Sequence, residues 1–443
     1  FVAACGKRVS LGALRNVARH MEPPKKIARL TLASESGRIA VVEPERYEEQ
    51  LDEKIASVNR LFSSFKLPRI EVFRSKPSHY RMRAEFRVWH DGEEVYYTVF
   101  QKDDSNDKRQ RPKAVRIDSF PAGSELMNEL MAALMREVVK QEELRHKLHQ
   151  VNFHTTLKGE AMVTMIYHKK LQDTWIKTAK EAAEILGKVA SCSTGFVHII
   201  GRSRKQKICL NQDFVVEELQ VNNKRYLYRQ VEGSFSQPNA SVAQHMVAWS
   251  QTVTSPACDG QGGAPVQPTE DLIELYCGNA NFTIPLSENF KTVVATEVSK
   301  ASVAAARENI KANGVTNILL GRMSSEEFVE AWKQQRPMRR LPELQWTDLK
   351  LTTLLVDPPR AGLDKDTEKL LHEFDSIVYI SCNPATLRDN LETVKETHDI
   401  SRFAVFDQFP YTSHLECGAY LKRRACEHAP QEAKSPAGNP SSV

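Results

Sequence analysis

The sequence predicts an α/β protein in two parts: an α+β domain built on an antiparallel sheet, followed by a doubly wound parallel domain. Three observations carry this. Residues 80–89 alternate apolar and polar side chains, the period-2 pattern of a half-buried strand. From about residue 230, short apolar strands alternate with helical segments, as a parallel sheet with helical crossovers requires. The length of 443 residues suits two or three domains, and 41% hydrophobic residues supply their cores.

Composition narrows the classes. With 19 Gly and 21 Pro, the chain is neither collagen-like nor of low complexity. No apolar run approaches the roughly 18 residues of a membrane span. Sixty-one Lys and Arg against 56 Asp and Glu give a net charge of +5, which permits a nucleic-acid partner without demonstrating one. The eight cysteines form no Cys-x-x-Cys pair and read as free thiols in a reducing compartment, with no cysteine-built metal site. Residues 1–21 carry Lys7, Arg8, Arg15 and Arg19 and no acid, which fits a transit-peptide remnant or a disordered leader.

Residues 1–45 form that leader, 46–229 the first domain, 230–428 the second, and 429–443 a polar, disordered tail. A helix from about Glu48 to Phe65 opens the first domain. In the strand that follows, Tyr80, Met82, Ala84, Phe86 and Val88 share one face. Arg81, Arg83, Glu85, Arg87 and Trp89 share the other. That second face is either solvated or suited to RNA, since guanidinium pairs with phosphate and indole stacks on a base. Asp91-Gly92 favours a tight turn into a returning strand, Val95 to Phe100. Residues 101–116 form a charged loop. Leu126, Leu130, Leu134 and Val138 recur at helical spacing and face a core. Strands are expected at Met162–Tyr167 and Phe196–Ile200, with a helix between them that stops at Gly187. Arg202, Arg204, Lys205 and Lys207 make a basic cluster.

In the second domain, residues 255–269 read as a surface insertion rich in Gly, Pro and Gln. Strands are expected at Leu272–Tyr276, Val293–Val298, Asn317–Leu320, Thr353–Val356, Ile377–Ile380 and Phe403–Phe406, and one helix spans Lys300–Asn313. Ligands of such sheets bind at the carboxyl ends of the strands. The first strand ends in the small-residue loop Tyr276-Cys277-Gly278-Asn279-Ala280-Asn281, and the second in Glu297, an acid that can accept hydrogen bonds from ribose. Together they indicate a nucleoside-type cofactor, a dinucleotide or S-adenosylmethionine. The loop is not Gly-x-Gly-x-x-Gly, so the dinucleotide loses ground. The fourth strand ends in Asp357-Pro358-Pro359-Arg360, a stiff turn presenting a carboxylate. Methyltransferases acting on exocyclic base nitrogens often follow Asp-Pro-Pro with an aromatic residue; Arg360 argues against that chemistry. Cys382 lies where the fifth strand gives way to a helix, whose N-terminus lowers a thiol pKa. Taken alone, Cys382 is more often a buried inert thiol, and Glu416 a surface acid.

In order along the chain, these motifs resemble the bacterial-type tRNA (uracil-5-)-methyltransferase family. The resemblance runs from roughly residue 46 to 423. It is carried by His79-Tyr80-Arg81-Met82-Arg83-Ala84-Glu85-Phe86-Arg87, Tyr167-His168-Lys169-Lys170 and Ser234-Phe235-Ser236-Gln237-Pro238-Asn239. The Cys277 loop, the Asp357 turn, Ser381-Cys382-Asn383-Pro384 and Phe406 to Gly418 complete it. It implies a Rossmann-like class I methyltransferase domain behind an RNA-binding domain. Cys382 would be the nucleophile and Glu416 the base. Gln237, Tyr276, Asn281, Glu297 and Asp357 would hold S-adenosylmethionine, with no metal. Arg81, Arg83 and Arg87 would meet RNA. The implied substrate is uridine 54 in the tRNA T-loop, and members can also modify transfer-messenger RNA. Neither a membrane nor an obligatory protein partner is implied. The expected compartment is the cytoplasm, or a mitochondrion or plastid if residues 1–21 are a transit remnant. Ala280, where the family commonly has Gly, and His149, where a Phe can occur, depart from the pattern. Two alternatives stand: a ribosomal-RNA uridine-C5 methyltransferase, or a non-catalytic tRNA-binding or tRNA-folding protein that would not need Cys382 and Glu416.

Overall fold

The computed structural model describes residues 42–101, 113–189, 191–255 and 267–424. The expectations for the leader, the tail, and most of the charged loop and the 255–269 insertion lie outside the described residues. The chain runs through α1 (Tyr47–Leu61), β1 (Ile70–Phe73), β2 (Arg83–Asp91), β3 (Glu94–Gln101), β4 (Lys113–Ile117), α2 (Glu125–Lys140), α3 (Glu142–Arg145), β5 (Leu148–Thr155), β6 (Ala161–Tyr167), α4 (Asp173–Val189), β7 (His198–Ser203) and β8 (Gln206–Cys209). It continues as β9 (Phe214–Val221), β10 (Lys224–Val231), α5 (Ala240–Val253), β11 (Asp271–Leu275), α6 (Thr283–Leu286), β12 (Val293–Thr296), α7 (Lys300–Ala312), β13 (Ile318–Gly321) and α8 (Ser325–Gln334). It ends with β14 (Leu351–Val356), α9 (Lys365–Leu370), β15 (Ser376–Ser381), α10 (Pro384–Val394), β16 (His398–Phe406) and β17 (Glu416–Arg423).

The first sheet has the order β4-β3-β2-β5-β6-β7-β8. Its alternation is the one the sequence predicts: Ala84, Phe86 and Val88 are buried with Leu126, Leu130, Leu134 and Val138 of α2 and Trp175 of α4. Ser124 caps α2 by accepting a bond from the Met127 amide. Two details differ from expectation. The pair β6–β7 is parallel, because α4 returns the chain to the same end of the sheet before β7 starts. That helix runs through Gly187 instead of stopping there. A Cβ on Gly187 would lie 2.2 Å from the Gly195 carbonyl oxygen, so the glycine serves close packing, not a cap.

The second sheet has the order β1-β16-β17-β15-β14-β11-β12-β13. The strands β14, β11, β12 and β15 pair in parallel, and β11 and β12 are buried throughout, as helices on both faces require. The sheet is not wholly parallel: β17 runs antiparallel between β15 and β16. The division at residues 46 and 230 is crossed at both ends. α1 and β1 join the second sheet, with β1 parallel to β16 and Phe62 against Phe403 at 5.1 Å between ring centroids. The β9–β10 hairpin bridges both halves. Gln230 meets His154 (2.6 Å) and Glu232 meets Arg202 on the first sheet, while Asn309 of α7 and Asn313, the residue that caps its C-terminus, bond the β10 backbone.

Candidate active site

The carboxyl ends of β11, β12, β14, β15 and β16 share one edge of the second sheet. Because β17 is antiparallel, its first residue arrives at that same edge. Ser381 pairs with Cys417, so Cys382, one residue on, and Glu416, one residue back, sit side by side. Glu416 also pairs with Phe406 at the end of β16. Cys382 is half-buried and Glu416 buried.

Burial and the neighbouring Glu416 and Asp357 push the Cys382 thiol up to about 11; Arg360 opposes them by charge and by hydrogen bond. The expected lowering at the helix N-terminus is therefore overridden. Asn383 caps α10 through Oδ1 and the Ala385 amide, and desolvation plus two carboxylates outweigh a helix dipole. Burial, with Asp357, pushes Glu416 up to about 8. Burial likewise takes Asp357 to about 7. A thiol, two recessed acids and one exposed guanidinium thus converge. The Arg360 carbonyl is fixed by Asn383 Nδ2 (3.0 Å) and Thr386 Oγ1 (3.4 Å).

The loop after β11 lies beside this group. Gly278 donates its amide to Glu297 (3.1 Å), whose other oxygen accepts from Ser299 (2.7 Å). Val298, next to that acid, is 68% exposed and offers an apolar surface to a flat ring. Asn281 Nδ2 and Glu274 Oε2 are buried and have no hydrogen-bond partner among the described residues. Burial raises Glu274 to about 8. Glu274 faces the equally unpartnered Thr283 hydroxyl, so it is Asn281 that marks a place for a polar ligand. An acceptor for ribose hydroxyls, an apolar surface and an orphaned amide fit S-adenosylmethionine. Tyr276 differs from expectation in one respect. Its hydroxyl is tied to Ser325 (2.8 Å) and Asp364 (3.3 Å), so its backbone rather than its phenol is left to the loop. Gln237 accepts from Gln408 Nε2 (3.3 Å), which places it beside the end of β16.

The three arginines of the β2 segment separate. Arg87 is exposed, touches the His149 imidazole, and His149 stacks on His168 with centroids 4.0 Å apart. Arg81 and Arg83 turn into the junction between the two halves. Arg81 donates to the Arg83 carbonyl (2.8 Å) and Arg83 to that of Ser234 (2.6 Å). Beside Ser234, Phe235 is 67% exposed.

Several residues escaped the sequence reading. Arg360 was visible only as the residue after Asp-Pro-Pro. Glu274 carries the signal of an acid inside an apolar strand. Lys54 gives no local signal, yet it forms a buried ion pair with Asp407 (2.7 Å) and bonds the Phe409 carbonyl (2.9 Å). Gln50 completes this grip on Asp407 (2.9 Å) and accepts from the Tyr411 amide (3.1 Å). In this way α1 holds the loop that leads to Glu416. Among the described residues, no three His, Cys, Asp or Glu side chains group as metal ligands, and no helix is long and apolar enough to cross a membrane.

The tRNA/tmRNA (uracil-C(5))-methyltransferase of Chromohalobacter salexigens is 48% identical over 387 residues, covering 87% of this chain and 98% of its own. The like-named protein of Cellvibrio japonicus is 50% identical over 378 residues, covering 85% and 96%. The solved Pyrococcus abyssi tRNA (uracil-54, C5)-methyltransferase, in complex with S-adenosyl-L-homocysteine, superposes with a TM-score of 0.58 at 20% identity, over 85% of this chain and 83% of that one. At that identity the likeness is one of fold. A sequence model of the tRNA (Uracil-5-)-methyltransferase family matches residues 46–424, and the chain belongs to that family.

Proposed function

We propose that this protein methylates C5 of uridine 54 in the T-loop of tRNA, with Cys382 as nucleophile and Glu416 as base. The loop of transfer-messenger RNA that mimics tRNA is a second substrate. S-adenosylmethionine supplies an electrophilic methyl group on a sulfonium. Asn281, Glu297, Asp357, Gln237 and the Tyr276 backbone hold it, with Val298 against the adenine.

C5 of uracil is a weak nucleophile. Cys382, half-buried, gives up its proton to solvent, the thiolate adds to C6, and the displaced electron pair gives C5 carbanion character. C5 then attacks the sulfonium methyl carbon, the methyl–sulfur bond breaks with its electron pair left on S-adenosylhomocysteine, and C5 bears both the methyl group and its original hydrogen. Glu416 removes the proton, and the freed electron pair re-forms the C5–C6 double bond as the C6–sulfur bond breaks. Covalent catalysis of this kind divides one difficult step into easier ones. Arg360 is the cation that favours the thiolate. The target base must leave its stack to reach a recessed thiol, which favours loop RNA over duplex. Arg87, His149 and His168 hold the RNA on the open sheet face. Arg81 and Arg83 set the junction that presents Phe235 to it. The reaction belongs in the cytoplasm or in an organelle with its own tRNA.

The observation that carries this reading is the antiparallel strand that sets Glu416 beside Cys382. Incubation with unmodified tRNA and methyl-labelled S-adenosylmethionine, followed by nucleoside mapping, tests it. Label in 5-methyluridine at position 54 is expected. Label only in a ribosomal-RNA fragment supplied in competition, or none in either, would refute it.

A further inference from the structure

Tyr276 (φ 62°), Gly278 (φ 57°) and Ala280 (φ 68°) all lie in the left-handed region. Two of the three carry a Cβ, which disfavours that backbone. Such a conformation persists only where the surroundings over-determine it. Much of the restraint comes from outside the loop. Tyr228 of β10, fully buried, donates its hydroxyl to the Asn281 carbonyl (3.0 Å). Asn309 of α7, 1% exposed, donates Nδ2 to the Asn279 carbonyl (2.9 Å) while its Oδ1 accepts from the Arg229 amide (2.7 Å). Adjacent residues of one strand therefore reach the same loop, one directly and one through an asparagine. Asn313 makes a similar pair of bonds to Leu227 (2.9 and 2.8 Å), and its remaining bond goes to Asn309, not to the loop.

We propose that Tyr228 and Asn309 are positioning residues for the methyl donor: they hold residues 276–281 in the left-handed form from the β9–β10 hairpin, so that the donor site is built before the donor arrives. This rests on the reading above that the loop holds S-adenosylmethionine. Neither residue belongs to the loop or to the strand-end motifs.

The test is calorimetric titration of the full chain with S-adenosylhomocysteine, beside tRNA binding. Tyr228→Phe keeps the ring and leaves a buried carbonyl unpaired. It should weaken S-adenosylhomocysteine binding about tenfold and leave tRNA affinity within about twofold. Adding Ala280→Gly, which accepts the left-handed backbone without steric cost, should recover about threefold or more of that loss. A general folding defect would not be mended by relaxing one loop residue. Asn309→Ala should follow the same pattern and stands in if Tyr228→Phe does not fold; Asn313→Ala should leave S-adenosylhomocysteine binding unchanged. Asn281→Ala separates the two readings. If it binds S-adenosylhomocysteine as the parent does, the loop is not the donor site and the underlying reading falls. If it binds weakly while Tyr228→Phe and Asn309→Ala bind normally, or if Ala280→Gly restores nothing, the positioning role alone is overturned.

Discussion

Cys382, the proposed nucleophile, is a reluctant one in the free protein. Burial first, then the nearby Glu416 and Asp357, push its thiol up to about 11, and burial pushes Glu416 up to about 8. A base must be ionised to act, so kcat/KM should rise with pH through about 8 and show no maximum near pH 6; a flat profile from about pH 6.5 to 9 would remove Glu416 from the rate-determining chemistry. Cys382→Ala should bind tRNA normally and lose methyl transfer by at least ~1000-fold, as deletion of a covalent nucleophile does. His149 shows a different residue-scale effect. Burial, Arg87 and His168 press its imidazole down to about 4, so it is a neutral ring at working pH. His149→Phe should therefore keep tRNA affinity, whereas His149→Ala should weaken it by about tenfold in a filter-binding assay, the scale of one lost base stack. The ionisation of Cys382, Glu416 and His149 was not legible in the sequence. A thiol at a helix start reads as activated until the two acids that fold brings beside it are known.

At the scale of elements, two segments carry more than their local pattern announces. β17 brings Glu416, the proposed base, beside Cys382 only because it enters the sheet backwards, and β1, four residues long, is recruited from the far end of the chain. The apolar strands of the parallel core were legible; neither β1 nor β17 was expected as a strand, and periodicity in any case identifies a strand without identifying its neighbour. The same holds for α1. A helix was expected there, but its grip on the loop before Glu416 depends on Lys54 meeting Asp407, far away in sequence. Breaking a buried ion pair from one side leaves an unpaired charge. Lys54→Met should therefore cost about 3–5 kcal/mol in a denaturant melt, and Lys54→Met with Asp407→Asn should recover most of it. Equal losses in the single and double variants would show that packing, not charge, holds this loop.

On the scale of the whole molecule, the protein gathers several recessed acids in the second sheet and at the β9–β10 hairpin. Burial raises Glu217, Glu274 and Glu416 to about 8 and Asp357 to about 7. Their ordinary values are 4.5 for Glu and 3.8 for Asp. Between those values and about 8, the folded protein binds more protons than the unfolded chain. Stability must then fall as pH rises across that window, with no such penalty below about pH 4. The urea midpoint should be higher at about pH 6 than at about pH 8.5, and Glu274→Gln should narrow the gap. An unchanged gap in that variant would mean that Glu274 does not titrate as its burial requires.

A transient bond between Cys382 and the target uracil is the centre of the proposed reaction. The most direct measurement is a denaturing gel of Glu416→Gln incubated with unmodified tRNA and S-adenosylmethionine. Addition and methyl transfer can precede proton removal, so a slowly migrating RNA–protein band should accumulate, and it should vanish when Cys382→Ala is added to the same chain. A band that persists without Cys382, or methylated tRNA released by the Cys382→Ala single variant at the parent's rate, would contradict it.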